Sequence, residues 1–88
     1  MNHGIIILPA AESDMVNAFL WYRKQSPGLE WKYWDAILET FIRIQKYPTH
    51  FTPVSADVRM AFAKRFPYKI IFNHNQLMQR VEIIFTPK

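Results

Sequence analysis

The chain has 88 residues, no cysteine, a formal net charge of +4 and a sequence that is 50% hydrophobic and 16% aromatic. That length suits one small domain spanning residues 1–88, and the aromatic load excludes a disordered chain. The lack of cysteine excludes a disulfide framework and a thiolate zinc site and fits a reducing compartment. The apolar run Ile5-Ile6-Ile7-Leu8 stops at Pro9, too short for a signal peptide or a membrane helix. A cytoplasmic protein with no membrane partner is expected.

The charge is uneven. Residues 1–44 carry four Lys/Arg and five acids, whereas residues 45–88 carry seven Lys/Arg and only Asp57 and Glu82 as acids. A basic second half is one footprint of a polyanionic partner, although many small basic domains bind none.

In chain order, His3 to Leu8 is a short β-branched run closed by proline and reads as a buried strand. Pro9 opens a helix, with Glu12 and Asp14 suited to its positive end. Met15, Phe19 and Tyr22 recur at i, i+4 and i+7, widened by Ala11, Val16 and Ala18. Gln25-Ser26-Pro27-Gly28 ends this helix. A second helix runs from about Leu29 to Tyr47, with Trp34, Ile37, Leu38, Phe41 and Ile44 as its core stripe, and the short turn makes the pair an antiparallel hairpin. Pro48 to Ala56 reads as an irregular loop.

The period then changes from 3.6 to 2. Over 57–65, alternation predicts Val58, Met60 and Phe62 inward and Arg59, Ala61, Ala63 and Arg65 outward. Phe66-Pro67 makes a bend. Tyr68 to His74 is the next strand, with Ile70 and Phe72 on one face. Asn73 to Gln76 supplies a polar turn. Gln79 to Thr86 is the last strand, with Val81, Ile83 and Phe85 inward. The expected fold is α+β, of order β-α-α-β-β-β: a helical hairpin over one face of a mostly antiparallel four-stranded sheet. Arg59 and Arg65, joined by Arg80, would then make the uncovered sheet face basic and shallow. Solubility alone also requires a polar outer face, and the two readings stand side by side.

Trp21-Tyr22 followed by Pro27-Gly28-Leu29 resembles the "W-Y-x-x-x-x-P-G-L" helix-turn-helix of RelE/ParE-superfamily toxins. Ala11 with Asp14, Ile44 with Pro48, Val58-Arg59, and Phe66-Pro67-Tyr68 with Ile70 and Phe72 resemble further patterns of that family, in its order and spacing. The resemblance implies the same β-α-α-β-β-β fold. It also implies the toxin of a two-protein toxin–antitoxin module, acting either by ribosome-dependent mRNA cleavage or by poisoning DNA gyrase. A cognate antitoxin would neutralise it.

Nuclease members of the family use no metal or cofactor, and basic side chains stabilise the charged transition state. By position the resemblance implies Arg59, Lys64 and Arg65 as catalytic residues. Arg59, Arg65, Lys69 and Arg80 are the expected nucleic-acid-binding residues. The chain departs from the family's terminal "V-x-H-x-x-R": Val81 to Thr86 fits the start of that strand, but the His and Arg are absent. Loss of a general acid typically slows a reaction ~10²–10⁴-fold. A toxin-like protein-binding module without catalysis is the alternative expectation.

His3, His50 and His74 lie in separate segments without metal-ligand spacing, so no metal site is expected. Trp31, Tyr33 and Trp34 point in different directions around one helix. Trp34 belongs to the core stripe, which makes Trp31 and Tyr33 candidates for docking a partner, either the antitoxin or a second copy in a homodimer.

Overall fold

The computed structural model describes residues 4–84, 86 and 87. Expectations resting on His3 and Phe85 lie outside the described residues. The elements are β1 (Gly4–Ile7), α1 (Pro9–Gln25), α2 (Leu29–Lys46), a 3-10 turn (Pro48–His50), β2 (Thr52–Pro53), β3 (Val58–Phe62), β4 (Tyr68–Asn75), β5 (Arg80–Ile83) and β6 (Thr86–Pro87). The sheet order is β1-β5-β4-β3-β2, with β6 paired to β4. Among the described residues only β1 with β5 pairs in parallel. The expected order of long elements holds, and two short strands are added to the four expected. One of them, β2, lies in the loop read as irregular, where Thr52 and Pro53 pair with Met60 and Arg59.

Breaker chemistry explains the helix ends. Pro9 occupies the first turn of α1, and Ser26 at its C-cap donates its N–H to the Tyr22 carbonyl. Gly28 opens α2 at φ 97°, a left-handed conformation that glycine adopts without a Cβ penalty. The turn is then clamped by Glu30, whose carboxylate accepts the Gly28 N–H at 2.7 Å and the Arg23 Nε–H at 3.0 Å. Burial works against the charged Glu30. Hydrogen bonds from its own and the Gly28 backbone and from Arg23 outweigh it and hold the carboxyl below the ordinary range.

The core lies between the hairpin and one sheet face. Ala11, Met15, Ala18 and Tyr22 of α1 and Tyr33, Ile37, Phe41 and Ile44 of α2 close over Ala61, Ile70, Phe72, Val81 and Ile83. Tyr22, Tyr33, Phe66 and Tyr68 form one aromatic cluster, with Tyr22 stacked on Tyr33 at 5.1 Å and edge-on to Phe66 at 5.1 Å. The Tyr33 hydroxyl donates to the Met15 carbonyl at 3.2 Å and so ties α2 to α1. Leu38, expected in the core stripe, is exposed, and Tyr33 takes its place in the core.

Candidate functional site

The inward and outward faces of β3 are the reverse of the expectation. Arg59 lies opposite Phe72 and Ala61 opposite Ile70; cross-strand partners share a face, and Phe72 and Ile70 are fully buried. Arg59, Ala61 and Ala63 therefore face the helices, and Val58, Met60 and Phe62 face out. The hairpin lies over the end of β3, where the Arg43 guanidinium approaches the Phe62 carbonyl at 3.4 Å, and the small Ala61 and Ala63 are enclosed beneath it. A period of two says that the faces alternate, not which one is covered.

This inversion relocates the basic residues. Arg59 donates from Nη1 to the Phe51 carbonyl at 2.9 Å and to the Thr49 carbonyl at 3.4 Å. It is thus bound to the segment that links α2 to β3 and does not lie on an open sheet face. Strand β3 ends at Phe62, so Arg65 is not on the outer sheet face either. It sits in the β3–β4 turn at φ 70°. Arg80 does point outward, but its guanidinium meets Glu82 at 3.1 Å, and Glu82 also accepts from Asn73 at 3.2 Å. Lys69 is outward and half-buried beside Phe62 in register.

Lys64 and Arg65 do come together, with Lys32, along a cleft of about 940 Å³ between α2 and the β3–β4 turn. Its other charged lining residues are Asp35 and Glu39. Glu39 holds Arg43 at 2.9 Å and Lys64 at 3.6 Å. Arg43 links this network onward, with its guanidinium 5.7 Å from the centre of the Phe51 ring. Arg43 is the basic residue that sequence reasoning missed. Its i, i+4 spacing from Glu39 was the available signal. The cleft's tyrosine, Tyr22, is buried, and burial together with Tyr68 pushes its pKa up to about 12, so it holds its proton at neutral pH.

The outer sheet face carries an apolar patch beside the polar Arg80, Glu82 and Asn73. Met60 pairs with Ile71 in register, and the Ile84 N–H donates to the Ile71 carbonyl at 2.7 Å. Phe62, Ile84 and Ile6 are exposed. The expected basic, shallow face is thus replaced by a mixed one, with an apolar patch beside Lys69, Asn73 and the Arg80–Glu82 ion pair. Tyr33, expected to dock a partner, is fully buried, whereas Trp31 is more than half exposed. No group of three or more His, Cys, Asp or Glu that could hold a metal occurs among the described residues, and no helix is long and apolar enough to cross a membrane.

The chain superposes on a chain in the solved structure of the chromosomal ParDE TA system from P. aeruginosa with a TM-score of 0.80. The match covers 97% of this chain and 95% of that one. The fold is RelE/ParE-like. At 16% identity the likeness is one of fold. No protein-family model and no curated protein matches the sequence. The RelE/ParE-like positions that carry the sequence resemblance are mostly architectural here: Tyr22, Phe66 and Tyr68 build the aromatic cluster, and Gly28 turns the chain between the helices.

Proposed function

We propose that the chain is the toxin of a type II toxin–antitoxin pair and that it acts on DNA gyrase through protein contacts rather than by cutting mRNA. The RelE/ParE-like fold over nearly the whole chain supports the toxin reading. The observation that favours a protein target is the position of Arg59, turned to the helix side of the sheet and bound to the Phe51 carbonyl. A metal-independent nuclease needs free cations converging on one phosphate. Here Arg59 and Arg80 are engaged on different faces, and the cleft that gathers Lys32, Lys64 and Arg65 also holds Asp35 and Glu39, with Lys64 paired to Glu39.

The neutralising antitoxin would dock on the outer sheet face, where Met60, Phe62, Ile71 and Ile84 offer apolar contact. Induction of the chain in bacteria, with and without the neighbouring reading frame, tests the toxin reading. Growth arrest relieved by the neighbour is expected. Unimpaired growth with soluble protein present would leave the alternative, a protein-binding module on a toxin fold. Primer extension on translated messages separates the two toxin mechanisms, and A-site cuts would count against the gyrase reading.

A further inference from the structure

The helical hairpin turns a second apolar surface to solvent, on the layer opposite the outer sheet face. Along α2, Trp31, Leu38 and Ile42 follow one another at i, i+7 and i+11. Val16 and Leu20 lie one turn apart on α1. All five are exposed, from 42% for Leu38 to 56% for Trp31. The two sets adjoin, because Trp31 and Trp34 both pack edge-on against Phe19 of α1, at 5.1 and 5.5 Å. A hairpin that needed only to cover its own sheet would carry polar residues here.

We infer that this face is the interface of a homodimer, in which the α1–α2 hairpins of two copies pack antiparallel as a four-helix layer. Size and charge both point to a second copy. The helices contain 17 and 18 residues, so each is roughly 27 Å long at ~1.5 Å per residue. With axes ~8–10 Å apart, the hairpin presents a face of about 500 Å². Two such faces make about 1,000 Å², the lower bound for a specific interface. A single helix would cover only half of that face, and a second hairpin matches it end to end.

The charges along α2 are ordered in the same sense. Asp35 sits between Trp31 and Leu38 on the exposed row, and Lys46 follows Ile42 by one turn. A two-fold axis midway between Leu38 and Ile42 runs the helices antiparallel, sets Asp35 within about one residue of level with the partner's Lys46, and opposes the helix dipoles. Leu38 then meets Ile42 of the partner subunit and lies about one turn from its own copy.

The test is the mass of the purified full chain in solution across micromolar concentrations, by light scattering or sedimentation. The expected result is a concentration-dependent rise to twice the 10.5 kDa of one chain. Leu38→Glu and Leu38→Lys should each remain monomeric, with dissociation more than ten-fold easier. Because Leu38 is exposed, both should keep the parent's circular dichroism. Mixing the two variants should restore the dimer, since opposite charges would then lie about one turn apart across the axis. A parent that stays monomeric, a dimer that survives Leu38→Glu, or a mixture that stays monomeric overturns the inference. The readout requires neither toxicity nor an antitoxin, so its failure leaves the proposed function untouched.

Discussion

Arg59 and Phe51 are joined by a 2.9 Å hydrogen bond from the guanidinium to the backbone carbonyl, and this contact fastens the segment after α2 to strand β3. In the proposed reading Arg59 is a structural residue. Hydrogen bonds from charged donors are worth ~1.5–3 kcal/mol when both groups are enclosed, and this one is partly solvated. Arg59→Ala should cost about 1–2 kcal/mol in urea denaturation. Growth inhibition, normalised to folded protein, should be retained. Loss of inhibition at unchanged stability would return Arg59 to the functional site.

The reversed faces of β3 make a paired prediction. Ala61 is enclosed beneath the hairpin and Phe62 stands in solvent. Ala61→Leu should destabilise by about 1–3 kcal/mol through overpacking. Phe62→Ser should stay within about 0.5 kcal/mol of the parent yet weaken antitoxin capture in a pull-down. The opposite order of the two destabilisations would mean that Phe62, not Ala61, faces the core.

Glu30 sets the acid limit of the helix turn. Its folded pKa lies below the ordinary 4.5, so its contribution is present above pH 4.5 and is lost as pH falls through the lower folded value. Glu30→Gln should lower Tm at neutral pH by a few degrees. It should also flatten the decline of Tm below pH 4.5. A variant whose acid profile overlays the parent's would contradict the clamp.

At the alkaline end the aromatic cluster dominates. Burial, with help from Tyr68, raises Tyr22 to about 12, and burial raises Tyr33 further. Both folded values exceed the ordinary 10, so the stability they provide is full below pH 10 and lost above it. In a spectrophotometric titration, these two of the four tyrosines should ionise only as the fold opens. Tyr22→Phe should remove one late-titrating tyrosine. Early, reversible ionisation of all four would mean that the cluster is wet.

The element order and both helices were legible because their signals are local: Pro9, the Ser26-Pro27-Gly28 breakers and the 3.6 period of the buried residues. The sheet was legible in number and order of long strands, but its covered face was not. Val58, Met60 and Phe62 are larger than Ala61 and Ala63, and size suggests burial when nothing else is known. What decides it is the side on which α2 packs, a contact between residues far apart in sequence. The β4–β5 turn shifted for a related reason. Asn73, His74 and Asn75 look like turn residues, yet they pair with Glu82, Val81 and Arg80, and β4 extends through them. Tyr33 was misplaced because helix α2 buries Glu30, Tyr33 and Ile37 as one face. The ion pairs that occupy Lys64 and Arg80 join separate elements or close neighbours on a strand, so composition alone showed only that cations were in excess.

We propose that the chain acts on gyrase through protein contacts. The most direct measurement adds the purified chain to DNA gyrase and supercoiled plasmid, and in parallel to translating ribosomes with labelled mRNA. Linear plasmid should accumulate on addition of the chain, with the mRNA intact. Codon-phased cleavage of the mRNA, with gyrase unaffected, would contradict it.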